Sequence, residues 1–123
     1  MKSLFVLFGI LSAVPAFAAA ADERRKHNVQ CLVAASFASE AVEGQQKVAL
    51  TMAALFFSGQ VFGSDPDIDL LSAAKSEAAA MTSEKVSALL VECGAEMARR
   101  GKQLSDVGKA LMNEAARLAP GKS

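Results

Sequence analysis

Apolar residues recur at helical spacing along most of this chain, and no stretch alternates apolar with polar residues over the length of a strand. Alanine, the strongest helix former, is abundant, whereas β-branched residues are sparse. The pattern therefore predicts an all-α protein. We expect a small disulfide-linked bundle of four or five helices that ends in a long C-terminal helix.

The first two predicted helices carry apolar residues in several directions. The first should run from Asp22 or Glu23 to Val42, and much of it should be buried. The second should run from Gln45 to Phe62, and it has two opposite apolar faces. Because each face needs a cover, this second helix is expected either to lie centrally between neighbouring helices or to present one face to a partner.

The two faces of the second helix differ in their residues. One side carries Val48, Met52, Leu55, Phe56 and Phe62. The other is the candidate interaction face for another protein chain or a ligand, and it consists of Leu50, Phe57 and Val61.

Residues 63–67, with the sequence GSDPD, form the clearest loop. Asp65 is the expected N-cap of a third helix that should end near Ala80. Three aspartates at alternate positions also raise the question of calcium. An EF-hand loop that starts at Asp65 needs Gly at its sixth place and Glu at its twelfth, where this chain has Leu70 and Ser76. Capping is therefore the better interpretation.

The last helix is the best defined in the pattern. Thr82 is its expected N-cap, and apolar or small residues then step by three or four positions from Val86 to Leu118. Because this phase continues through Gly101, we expect one long helix that starts near Ser83. Two helices divided at Gly101 are the alternative.

Three glycines, Gly94, Gly101 and Gly108, lie seven residues apart on one side of this last helix. Glycine in a helix interior costs roughly 1 kcal/mol relative to alanine. We therefore expect neighbouring helices to pack closely against all three.

Residues 1–18, MKSLFVLFGILSAVPAFA, have the pattern of an export signal. Lys2 precedes an apolar run of about 11 residues, which is too short to cross a membrane, and the sequence AFA at 16–18 suits a signal peptidase. We expect cleavage before Ala19, one domain over residues 19–123, and a periplasmic or secreted location without a stable membrane anchor.

Export decides how the two cysteines are interpreted. In an oxidising compartment, Cys31 and Cys93 are expected to form a disulfide, and the small neighbours Ala34, Ala35 and Gly94 allow two helices to approach. Two buried free thiols or a reactive pair are the alternatives. The spacing is not CxxC, and we expect no His or Lys near the pair, which disfavours a reactive pair.

Composition removes several classes of function. Without Lys2 the chain has one more acidic than basic residue, which gives no electrostatic footprint for nucleic acid. The chain has no Trp or Tyr and a single histidine, His27, in a polar segment where we expect it to be solvated. We therefore expect no catalytic set, no metal site and no cofactor. Basic clusters at 24–26 and 99–102 could face an anionic membrane, but acidic neighbours favour solvated faces.

Three segments carry a resemblance to known proteins. CLVAASFASE, MAALFFSGQVFGSDPDIDL and VECGAEMARRGKQLSDVGKAL resemble small exported helical proteins of Gram-negative bacteria, which generally carry no assigned function. The architecture is also similar to that of periplasmic acid-stress chaperones, which join an early helix to a late one by one disulfide. Those chaperones carry a tryptophan near the first cysteine and a lysine-rich tail, which this chain lacks.

These observations predict a non-catalytic interaction or stress-protection module that binds a protein partner or itself. The alternative is a small helical protein that binds an apolar ligand in a cavity between helices, lined by Met52, Phe56 and Phe57.

Overall fold

A computed structural model describes residues 14–121 of the chain, and within that range it contains helices and no strands. The all-α prediction is therefore confirmed. The four helices are α1 (Val14–Glu40), α2 (Gln45–Ser64), α3 (Leu70–Ala79) and α4 (Ser83–Leu118). Most of the predicted signal peptide lies outside the described residues, so its cleavage stays a prediction.

The first helix starts earlier and ends sooner than the sequence predicts. It includes the alanine-rich segment at 16–21, which extends the helix because alanine is the best helix former. At its other end the backbone N–H of Ala41 bonds the carbonyl of Ala38, which tightens the chain into a turn. Gly44 then adopts a positive φ of 67° and precedes α2.

The central helix of the bundle is α1, and the other three helices pack against it. We expected α2 to have this place. One core cluster joins α1 to α2 and α4, and its buried members are Cys31, Ala34, Phe57, Leu89 and Cys93. A second cluster joins α1 to α2 and is closed by side chains of α3, with Val29, Val33 and Val61 buried at its centre.

The predicted disulfide is present in the first cluster. Cys31 and Cys93 are bonded with an S–S distance of 2.03 Å and a Cα–Cα distance of 5.8 Å. Both residues are buried, and Ala34 beside them is also buried. The small side chains of α1 leave room for the bridge, whose Cα–Cα distance is within the usual range for a disulfide.

The long C-terminal helix is also confirmed. Helix α4 continues through Gly101 without a turn, so the alternative of two helices is wrong. Its first half lies against α1, whereas most side chains after Met97 are exposed. The bundle therefore consists of a packed body and a helix that extends beyond it.

Candidate functional site

The exposed face of α2 is the first candidate for an interaction surface. Val48, Met52 and Leu55 are 60%, 61% and 67% exposed, and Phe62 is exposed at the same side of the helix. We call these four residues the α2 stripe. With Gly59 between Leu55 and Phe62, they recur at a spacing of three or four positions, so they lie along one face of the helix opposite the core.

The prediction that Leu50, Phe57 and Val61 form an exposed interaction face of α2 is wrong. Phe57 and Val61 have no exposed surface and lie in the two core clusters, and Leu50 is half-buried. This face contacts α1, because the small residues along α1 leave room for the Phe57 ring. Helix α2 therefore has two apolar faces, as predicted, but the face that lacks a cover among the described residues is the opposite one.

An apolar groove of about 470 Å³ lies between α1, α2 and α3. It is lined by Leu32, Val33, Phe37, Leu70, Leu71 and Ala78, with two serines and Lys75 at its polar positions. Phe37 and Leu71 are exposed, so apolar surface continues from the groove onto its rim. We expected a cavity around Met52, Phe56 and Phe57, and none of these three residues lines this groove. Phe57 is buried in the core, whereas Met52 is exposed on the opposite side of α2.

The single histidine lies beside the disulfide, contrary to our expectation of a solvated side chain. His27 is half-buried, and its Nε2 atom is 3.5 Å from Cys31 Sγ and 3.5 Å from Glu96 Oε2. The sequence contained the signal: residues 27 and 31 are four positions apart and share one helix face. The expectation that no His lies near the cysteines is therefore wrong.

Proximity to His27 does not make the disulfide reactive in this arrangement. Thiol exchange needs a thiolate to reach a sulfur atom, and Cys31 and Cys93 are only 1% and 4% exposed. The same three residues lie within 4.8 Å as a group of metal-ligand types. However, metal ions bind cysteine as a thiolate, and these two sulfurs are bonded to each other. The geometry fits a structural bridge.

Of the two predicted helix caps, Thr82 is correct and Asp65 is wrong. Thr82 caps α4 as predicted, because its hydroxyl accepts a hydrogen bond from the Lys85 N–H at 3.2 Å. Asp65 does not cap α3. It lies at the C-terminal end of α2 and accepts a hydrogen bond from Arg25 of α1 at 3.1 Å. Asp69 is the N-cap of α3 instead.

The three glycines of α4 have no close neighbour in the described structure. A Cβ atom added at Gly94, Gly101 or Gly108 would meet nothing within 4 Å outside the adjacent turns of the helix. The prediction that neighbouring helices pack against these glycines is therefore wrong for the single chain. The glycines do recur every seven residues, but Gly101 and Gly108 lie on the part of α4 that extends beyond α1.

Comparisons with models of protein families, with curated proteins and with solved structures found no match for this chain. The resemblance to small exported helical proteins therefore stays a prediction. Among residues 14–121, none of the helices is both long enough and apolar enough to span a bilayer.

Proposed function

We propose that this chain is an exported, disulfide-linked helical protein that works without catalysis by binding other polypeptides through the α2 stripe. Export is inferred from the signal-like residues 1–18 and agrees with an oxidised cysteine pair. Stress protection, in which the stripe covers apolar segments of unfolded proteins, is the form of this function that we favour.

The observation that carries the proposal is the alignment of the α2 stripe along one exposed helix face. Single exposed apolar side chains are common on protein surfaces and carry no argument. Val48, Met52, Leu55 and Phe62 instead form a line about 21 Å long on one helix face, at a rise of 1.5 Å per residue. A line of this length matches the apolar side of an amphipathic segment. Met52 adds a flexible side chain that adapts to different partners.

Crosslinking in intact cells tests this proposal. A photo-reactive amino acid at Leu55 should give adducts with other proteins, because Leu55 lies in the middle of the α2 stripe. The same amino acid at Gln60 is the matched control, because Gln60 is exposed on α2 outside the stripe. Similar adducts at both positions, or none at Leu55 under envelope stress, would contradict a specific role for the stripe.

The groove between α1, α2 and α3 supports a second candidate function. Its volume of about 470 Å³ is within the range of small-molecule sites, and nearly all its surface is apolar. An acyl chain or similar apolar ligand would fit such a groove. A fluorescent fatty acid should then bind wild-type protein and lose affinity in Leu71→Ser, whereas Met52→Ser should leave its affinity unchanged. Equal affinity in Leu71→Ser would contradict binding in this groove.

A further inference from the structure

The exposed part of α4 has a heptad repeat that combines large and small residues. Large apolar side chains occur every seven residues at Met97, Leu104, Leu111 and Leu118. Small residues occur with the same period at Gly94, Gly101, Gly108 and Ala115. Each small residue is followed three positions later by a large one, and each large residue is followed four positions later by a small one. This is the spacing of a coiled coil, with the small residues at a and the large residues at d.

From Gly101 onward, this side of α4 has no cover among residues 14–121, whereas Met97 at its start is half-buried against the core. Leu104, Leu111 and Leu118 are 73%, 63% and 66% exposed, and the glycines beside them face open space. Among the described residues, helix α1 contacts α4 around the disulfide, at Met97, and between His27 and Glu96. The repeat from residue 94 to residue 118 spans more than three heptads, or about 36 Å, and its exposed part begins at Gly101.

We propose that this protein forms a homodimer in which the α4 helices of two copies pair in antiparallel orientation through the heptad repeat. The occupant of the surface is thus a second copy of the same chain. This inference concerns a different surface from the α2 stripe and does not depend on the function proposed for that stripe.

Complementary size is the first argument for a second copy. In an antiparallel coiled coil, a positions of one helix face d positions of the other. Centring the pair near residue 106 places every large residue opposite a small one. The facing pairs are Leu118 with Gly94, Met97 with Ala115, Leu111 with Gly101, and Leu104 with Gly108. A parallel pair would instead place glycine opposite glycine and leucine opposite leucine, which leaves gaps in alternate layers.

Complementary charge is the second argument. In the same antiparallel register, the flanking g positions of the two helices face each other. Arg100 then lies opposite Glu114 of the partner subunit, and the two-fold symmetry makes this ion pair twice. Val107, the g position between them, faces the partner's Val107. Among the described residues, Arg100 donates to Gln103 and Glu114 pairs with Arg117 on its own helix. Arg100 and Glu114 are both exposed, which leaves them within reach of a partner.

A charge exchange tests the orientation directly. Sedimentation equilibrium of the protein purified after export should show a dimer. Arg100→Glu and Glu114→Arg each place like charges opposite each other twice, so each should raise the dimer dissociation constant by roughly tenfold. The double variant Arg100→Glu/Glu114→Arg restores both pairs and should recover most of the wild-type affinity. Circular dichroism checks that every variant retains its helices.

A size test separates specific packing from general stickiness. Gly108→Leu and Asn113→Leu each add one leucine to the exposed half of α4. Among the described residues, a Cβ added at Gly108 meets nothing within 4 Å outside its own helix, and Asn113 is exposed. Gly108→Leu should weaken the dimer by more than tenfold, because the added side chain would meet the partner's Leu104 at the centre of the interface. Asn113→Leu lies on the outer face and should leave the dimer intact.

Any one of four results would overturn the proposal. The first three are a wild type that stays monomeric at about 100 μM, a double charge variant that dimerises no more tightly than either single variant, and a Gly108→Leu variant that dimerises as tightly as Asn113→Leu. Loss of the dimer in Met52→Ser/Leu55→Ser would also overturn it, because that result would assign self-association to the α2 stripe. Failure of the α4 dimer would leave crosslinking at Leu55 unaffected, so the two proposals can fail separately.

Discussion

Asp65 and Asp69 stand four positions apart in the loop between α2 and α3, and they have different roles. Asp69 accepts hydrogen bonds from the backbone N–H of Ser72 at 3.0 Å and from its hydroxyl at 2.8 Å, which starts α3. Asp65 accepts a hydrogen bond from Arg25 at 3.1 Å and ties the loop to α1. The Asp69 carboxylate thus caps the start of α3, and the Asp65 carboxylate holds the loop before α3 against α1.

The Asp69 cap should make stability depend on pH. Hydrogen bonds from the Ser72 N–H, and then from its hydroxyl, lower the pKa of Asp69 from its ordinary value of 3.8. The folded-state pKa is therefore below the unfolded-state value. Such a carboxylate stabilises the fold fully above the unfolded-state pKa, and this contribution is lost as pH falls through the folded-state pKa.

Asp69→Asn is the matched control, because asparagine caps helices about as well as aspartate but does not titrate. The difference in the free energy of unfolding between wild type and Asp69→Asn should be constant between about pH 5 and 7. Below the ordinary pKa of 3.8, it should change in favour of the variant. Urea unfolding at a series of pH values measures this. A difference that stays constant into the acid range would show that the Asp69 carboxylate does not stabilise α3.

Which single residues matter could be predicted only in part. The disulfide between Cys31 and Cys93 was predicted from residue type and from the expected export, and the Thr82 cap was predicted from its place before an unbroken helical repeat of apolar residues. Asp65 could not be distinguished from Asp69, because both precede a plausible helix start and the choice depends on where the backbone turns. His27 could have been placed near Cys31 from their spacing on one helix.

Helix α4 shows why a continuous phase is a strong signal. Its apolar side chains keep one direction from Val86 to Leu118, and a turn at Gly101 would have changed that direction. Helix α2 shows the limit of the same signal. Its two faces are similarly apolar, so the choice of the Phe57 face for the core is decided by the fit against α1, which no pattern within α2 contains.

The open surroundings of Gly101 predict that alanine is favourable there. Within the described part of the chain, nothing outside the adjacent turns of α4 lies within 4 Å of an added Cβ, so Gly101→Ala should gain helix propensity without a clash. In dilute protein, amide hydrogen exchange around residue 101 should slow by roughly two- to fivefold. Gly44→Ala provides the contrast, because its φ of 67° strains any L residue, and it should destabilise the start of α2. Faster exchange in Gly101→Ala would contradict the open site.

The whole bundle depends on α1, because the other helices pack against it and the disulfide fastens α4 to it. The core is small: its two clusters contain few large side chains, and much apolar surface on α2 and α4 is exposed. A covalent link is therefore expected to supply a large share of the stability of the chain. Sequence alone predicted the link, but not that α1 would be central.

Reduction of the disulfide should destabilise the bundle strongly. A bridge between residues separated by 62 positions should contribute about 4 kcal/mol by restricting the unfolded chain. Urea unfolding of wild type with and without a reductant, and of Cys31→Ala/Cys93→Ala, measures the loss. Amide exchange in α4 should increase more than in α1 or α2, because α4 lies outside the larger α1–α2 contact. Unchanged stability after complete reduction would contradict a structural role for the bridge.

The central claim is that α2 has one face for folding and one for partners, and paired substitutions on the two faces test it most directly. Phe57→Ser removes a fully buried ring, so it should lower the free energy of unfolding by about 3–5 kcal/mol. Met52→Ser/Leu55→Ser should change the free energy of unfolding by less than about 1 kcal/mol. The same double variant should lose the ability to prevent aggregation of a reduced, unfolded test protein. A double variant that protects as well as wild type, or that unfolds as readily as Phe57→Ser, would contradict the assignment of the two faces.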